Sequence, residues 1–281
     1  MASDVLRYTA FPDGSGGGNP AGVVLDAMGL GAPAMQEIAR GVGFSETAFV
    51  VPGPEPSAYG VRYFSPEAEV PFCGHATIAT AVALAERDGP GPVTFRCAAG
   101  IVPVDTAAGP TGIVATLTSV PPYVEEPPPG LVTRALAALG WTGPELDPAL
   151  PPRVAFAGAR HLVLASSTRE RLARLEYAYG DLRALCVEHE LLTLAVVWRE
   201  DAATFHARNA APLVGVVEDA ATGAAAAALG GYLQALGAVT PPATLTVLQG
   251  ADMGRPSRLT VTLDAGTPGV RVSGTAVPLT A

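Results

Sequence analysis

Phe44-Ser45-Glu46-Thr47, taken with Phe64-Ser65-Pro66-Glu67-Ala68-Glu69-Val70-Pro71-Phe72-Cys73-Gly74-His75-Ala76-Thr77, sets the plan of the chain. The first segment puts a carboxylate where a strand begins, between apolar residues. The second runs from an extended segment through Pro and Gly into a helix of small residues. A lone Glu among apolar neighbours is a candidate proton carrier, and a Gly-His-Ala-Thr helix start is a candidate cradle for an anion. A matching helix start comes much later, at Glu218-Asp219-Ala220-Ala221-Thr222-Gly223-Ala224.

Composition narrows the chemistry around these features. The 281 residues allow a large core and favour two domains. About half of them are apolar, which suits a compact protein. The net charge is −9 and no basic run occurs, which argues against nucleic acid as a partner. All 17 basic residues are Arg. The absence of Lys excludes Schiff-base chemistry, pyridoxal-phosphate anchoring and a P-loop lysine, because each needs a primary amine. Three widely spaced cysteines, Cys73, Cys97 and Cys186, fit a reduced, cytoplasmic protein. Met1 to Tyr8 has no basic segment followed by an apolar run, so no signal peptide is read there. Ala220 to Val239 is apolar but rich in Ala and Gly and broken by Tyr232 and Gln234, so no membrane span is expected.

Strands are expected at Val5–Ala10 and Val23–Leu25, and over 47–51 and 58–64. Gly14-Ser15-Gly16-Gly17-Gly18 lacks the ending of a phosphate loop and reads as a mobile loop. Apolar spacing predicts a helix over 34–42, with Met35, Ile38 and Val42 on one face and Gly43 as its stop. Residues 76–86 form a helix almost without polar groups, as in a helix wrapped by a sheet. Strands follow near 93–97, 101–106 and 113–118. Pro121-Pro122 and Glu125-Glu126-Pro127-Pro128-Pro129 read as a linker, which places the lobes at 1–126 and 127–281, the last strand being free to pack back on the first lobe. The second half repeats the plan: helices over 131–139, 168–175, 179–190 and 222–236, and strands over 154–156, 162–165, 192–198, 204–207, 245–248, 259–263 and 270–272. The expected fold class is α+β, with two similar lobes, each a barrel-like, mostly antiparallel sheet around a central helix.

Several stretches together resemble the phenazine-biosynthesis isomerase family, often called PhzF-like, which shares the diaminopimelate-epimerase fold. They are Gly18-Asn19-Pro20-Ala21-Gly22-Val23-Val24, Ser45-Glu46-Thr47-Ala48-Phe49-Val50, Arg62-Tyr63-Phe64-Ser65-Pro66, Glu69 through Thr77, Glu218 through Gly223, and Gln249-Gly250 with Gly254-Arg255-Pro256-Ser257. They span nearly the whole chain in the family's order. The resemblance implies Glu46 as acid/base, with His75 and Asp219 around the substrate. It implies substrate contacts from Asn19, Gly74, Ala76, Thr77, Thr222, Gly223 and Ala224. It also implies a homodimer, no cofactor and a small carboxylate substrate. Ala220 stands where the family has Pro, and Ala224 where it has Ser. The missing hydroxyl counts against the phenazine substrate, not against the proton chemistry.

Moving a double bond along a ring needs one C–H proton removed and one delivered elsewhere, and a single carboxylate near both carbons can do both. Working near neutral pH requires that Glu46 be partly desolvated, and Phe44 and Phe49 are neighbours able to do this. His75 could donate to a substrate oxygen, relay a proton or simply cap the helix. Asp219 could also be a helix cap, which is compatible with a role at the substrate. The expected activity is an isomerase acting on a cyclic unsaturated acid of phenazine or pyrroline (alkylproline) type in secondary metabolism. The alternatives are an amino-acid epimerase or racemase, or a non-catalytic binder of small acids. A two-thiol epimerase is disfavoured, because Cys73 has no counterpart at the second helix start. No metal site is read: Glu188-His189-Glu190 lacks a second His, and neither His161 nor His206 has ligand spacing around it.

Overall fold

The computed structural model describes residues 4–279. Met1, Ala2 and Ser3, which belong to the stretch assessed for a signal peptide, lie outside the described residues. The chain divides into two compact units: residues up to Thr118 together with those from Ser273 onward, and Ser119–Val272. Each is a barrel-like, mostly antiparallel sheet around a central helix.

In the first unit the strands are β1 (Leu6–Ala10), β2 (Asn19–Val24), β3 (Glu46–Pro52), β4 (Ala58–Phe64), β5 (Glu69–Val70), β6 (Pro92–Cys97), β7 (Gly100–Gly109) and β8 (Gly112–Thr118). β1 pairs antiparallel with β2, β2 parallel with β3, β3 antiparallel with β4, β4 parallel with β6, and β6, β7 and β8 form an antiparallel run. The C-terminal strand, Arg271–Pro278, pairs with both β8 and β1 and closes an eight-stranded barrel. The expected strand over 270–272 thus begins about where the sequence suggested but runs on to Pro278. Gly274, Thr275 and Pro278 dilute its apolar signal.

Helix α1 (Ala32–Val42) lies outside this barrel, burying Met35 and Ala39 against Val24, Phe49 and Phe64. Helix α2 (Gly74–Asp88) is enclosed by the barrel, buried at every residue from His75 to Ala85. A barrel this narrow leaves little internal room, so the helix carries Ala and Thr. Its hydroxyls are satisfied internally: Thr77 Oγ1 donates to the Cys73 carbonyl and Thr80 Oγ1 to the Ala76 carbonyl.

The second unit contains β9 (Tyr123–Glu125), β10 (Arg153–Phe156), β11 (Arg160–Ala165), β12 (Thr193–Arg199), β13 (Thr204–Ala210), β14 (Glu218–Asp219), β15 (Ala243–Gln249) and β16 (Ser257–Leu263). Its pairing senses repeat those of the first unit. β9, β10 and β11 are antiparallel, β11–β12 parallel, β12–β13 antiparallel, β13–β15 parallel and β15–β16 antiparallel. In both units a two-residue strand, β5 or β14, is added just before the central helix. Helices α3 (Leu131–Leu139), α4 (Arg169–Ala173) and α5 (Tyr179–Glu188) precede the central α6 (Gly223–Ala235). The Pro-rich stretch is not a free tether here. Tyr123–Glu125 pairs with β10, and Tyr123 stacks on Phe156 with ring centroids 4.6 Å apart.

α6 packs its backbone hard against its surroundings. A Cβ on Gly231 would lie 2.5 Å from Pro122, and one on Gly230 would lie 2.9 Å from Val261. Two glycines inside a helix cost about 2 kcal/mol of propensity, and the close approach is what they permit.

Beneath this sheet lies a buried polar chain. Thr193 Oγ1 donates to Asn209 Oδ1 at 3.0 Å, so it must accept from His161 Nδ1 at 2.8 Å. That fixes the tautomer, and Nε2 remains buried without a partner. Burial pushes the His161 pKa down from 6.5 to about 3. The unfolded chain therefore binds a proton below pH 6.5 that the folded one refuses. The stability from this residue is complete above pH 6.5 and is lost as pH falls toward 3, at about 1.4 kcal/mol per pH unit. Urea unfolding at pH 7 and pH 4 is expected to show a loss in the native chain that exceeds the loss in His161→Gln by roughly 3 kcal/mol.

Candidate active site

Asn19 opens β2, Glu46 opens the parallel neighbour β3, and α2 begins at Gly74 after Cys73. Parallel pairing sets the two strand starts at one end of the sheet, and Ala21 lies opposite Glu46. Four side chains converge there on the His75 ring. Asn19 Nδ2 is 3.0 Å and Cys73 Sγ 3.4 Å from Nδ1; Ser45 Oγ and Glu46 Oε2 are each 3.3 Å from Nε2. The Glu46 side chain is 17% exposed and that of His75 6%, so the cluster is largely withdrawn from water.

Glu46 Oε2 is itself buried and accepts no hydrogen bond. A buried carboxylate oxygen without a donor is costly, which marks a site kept for something other than stability. The desolvation does not come from Phe49 as expected. Strand alternation puts Phe49 on the opposite face from Glu46, packed with Met35 and Phe64 under α1. Phe44 is half-buried and lies beneath the Arg7 guanidinium, 5.4 Å from it.

The first intrahelical bond of α2 runs from the Thr77 N–H to the Cys73 carbonyl. The Gly74, His75 and Ala76 N–H groups therefore precede the ladder and leave the positive end of the helix at this cluster. Thr77 is placed otherwise than the sequence suggested. It is fully buried, its N–H and hydroxyl both bond to the Cys73 carbonyl, and its oxygen meets the Tyr63 hydroxyl at 2.6 Å. Its polar groups hold the helix start and are not turned toward a ligand.

In the second unit, Asp219 sits in β14 opposite Asn209. Its neighbour Glu218 forms a buried bidentate pair with Arg208, at 2.9 and 2.5 Å, which fixes this short strand. Asp219 Oδ2 accepts from Thr222 Oγ1 at 2.6 Å. Gln249 pins the turn: Nε2 donates to the Asp219 carbonyl at 2.7 Å and to Thr222 Oγ1 at 3.0 Å, while Oε1 accepts from the Thr222 N–H at 3.2 Å. The α6 ladder begins with the Ala226 N–H on the Thr222 carbonyl, so Gly223, Ala224 and Ala225 precede it. Ala220 is buried and Ala224 half-buried. Ser45, Cys73 and Gln249 were not singled out for these contacts from the sequence, although all three lie in the quoted stretches.

The two-lobed fold and the carboxylate–imidazole pair define the isomerase and epimerase class of scaffolds. The chain belongs to the phenazine biosynthesis-like protein family (PhzC-PhzF), whose model matches residues 8–281. It is 35% identical to an uncharacterized isomerase of Mesorhizobium japonicum, covering 92% of this chain and 89% of that one. It is 32% identical to the trans-2,3-dihydro-3-hydroxyanthranilate isomerase of Pseudomonas aeruginosa, covering 86% and 84%. Among solved structures, a Bacillus anthracis phenazine biosynthesis protein of the PhzF family superposes with a TM-score of 0.87 at 27% identity, covering 98% and 96%. Among the described residues, no helix is long and apolar enough to cross a membrane.

Proposed function

We propose that this isomerase moves a proton and a double bond on a small, cyclic, unsaturated carboxylic acid, with Glu46 as the acid/base. The observation that carries the reading is the buried, hydrogen-bond-free Glu46 Oε2 held 3.3 Å from His75 at the start of α2. The Pseudomonas relative is named for a dihydro-hydroxyanthranilate, a cyclic amino acid with ring double bonds, and supports that substrate class.

In this mechanism the Glu46 carboxylate takes a proton from a ring C–H and becomes the acid. The electron pair shifts along the conjugated system, and Glu46 returns the proton to a different carbon. The enzyme ends as it began, and the proton stays on one face. His75, held on its far side by Asn19, fixes the Glu46 carboxyl and offers a donor to a substrate oxygen. The Gly74, His75 and Ala76 N–H groups attract the substrate carboxylate. Asp219 is proposed as a further catalytic group, with Thr222, Gly223 and Ala224 as substrate contacts. A role in secondary metabolism, a cytoplasmic location and a homodimeric state belong to the same proposal. Turnover in deuterium oxide tests it. An isomerase shifts the ultraviolet absorbance of its substrate, whereas an epimerase carries deuterium into a stereocentre with no change in conjugation.

A further inference from the structure

We propose that Glu46, Cys73 and His75 form a binding site for a soft divalent cation, with Zn²⁺ as the fitting ion. The three donors come from a strand start and a helix start 27 residues or more apart in sequence, and their ligating atoms all lie within 4.8 Å of one another. A thiolate, an imidazole and a carboxylate are the three side-chain ligands that tetrahedral zinc takes most readily.

The spacing fits the ion. With zinc bonds of about 2.3 Å to sulfur and about 2.0 Å to nitrogen or oxygen, tetrahedral edges come to about 3.3 Å for N···O and about 3.6 Å for S···N. The observed separations are 3.3 Å from His75 Nε2 to Glu46 Oε2 and 3.7 Å from His75 Nε2 to Cys73 Sγ. A cation at the centre of that face would give the Glu46 oxygen the partner it lacks. Binding through Nε2 leaves Nδ1–H on the far side of the ring, where the Asn19 amide lies 3.0 Å away. A half-turn of that amide presents its oxygen, completing an outer hydrogen bond of the kind that orients metal-bound histidines.

Charge also balances. One thiolate and one carboxylate neutralise a divalent ion, so the occupied site buries no net charge. Binding displaces the Cys73 thiol proton to solvent, so affinity rises with pH. Three protein ligands leave a fourth position open for water or a substrate carboxylate. The site exists whether or not Glu46 is the acid/base. If it is, an occupied site ties up the base, and soft cations are reversible inhibitors of this isomerase.

Cobalt(II) titration of the chelator-stripped chain tests the site without reference to turnover. The expected result is one equivalent bound, with a near-ultraviolet thiolate-to-cobalt charge-transfer band and the visible bands of a tetrahedral ion. Cys73→Ser should abolish the charge-transfer band, and Glu46→Gln should weaken Zn²⁺ binding at least about 10-fold in competition with a chromogenic chelator. Cys97→Ser should change neither. X-ray absorption at the zinc edge of the unaltered chain gives a readout independent of any variant: one sulfur and two or three nitrogen or oxygen neighbours. A sulfur-free shell, a charge-transfer band that survives Cys73→Ser, or the absence of saturable binding would overturn the site. Binding without inhibition would support the site and count against Glu46 as the base.

Discussion

Glu46→Gln is expected to lower turnover about 10³-fold while leaving the fold intact, because the amide matches the carboxylate in shape but cannot take a proton. The loss should fall on kcat more than on KM, since the helix-start N–H groups that attract the substrate are untouched. The substitution should not destabilise the chain. Oε2 accepts no hydrogen bond, and a neutral amide removes a desolvated charge from beside His75. Thermal unfolding and the ultraviolet change of the substrate, measured on the same preparation, check both halves. Full activity in Glu46→Gln, together with a dead Cys73→Ala, would transfer the chemistry from the carboxylate to the thiol.

Gly250→Ala is expected to destabilise the second unit by about 3 kcal/mol. Gly250 has φ of 78°, a conformation that costs an L-residue roughly 1–2 kcal/mol. An added Cβ would also stand 2.3 Å from the Arg255 carbonyl oxygen and 2.8 Å from that of Ala220. Both obstacles are backbone atoms, so no rotamer change relieves them, and overpacking adds about 1–3 kcal/mol. At roughly 2–4 °C per kcal/mol for a unit of this size, the midpoint should drop by about 6–12 °C. Because Ala220 follows Asp219 and Gln249 precedes Gly250, the displacement reaches the turn that Gln249 pins. A KM increase should therefore accompany the lower midpoint, and an unchanged midpoint would contradict the packing described.

Much of the scaffold was legible because its elements carry strong local signals. The helix over Leu131–Leu139 and the strand over Ala58–Phe64 fall where apolar spacing and flanking Gly or Pro put them. The central helices showed themselves by lacking a polar face, which is what enclosure on all sides requires. Less legible was anything fixed by a distant partner. Tyr123–Glu125 is a strand only because β10 lies beside it, and its proline-rich setting argues the other way. β5 and β14 are too short to carry a period. At the site, Glu46 and His75 were evident as chemistry-bearing residues. The face of β3 on which Phe49 lies, the inward turn of Thr77, and the meeting of Cys73 with Glu46 needed the register of β2 against β3 and the placement of α2.

The strand that seals the first barrel comes from the far end of the chain, with Tyr8 opposite Pro278. During synthesis the opening strands leave the ribosome long before this last stave is made, and the whole second unit emerges in between. That intervening unit has all its own strands by Val272 and can mature while its elder neighbour is still gaping. The proton-handling end of the molecule is thus the first part translated and the last to be finished.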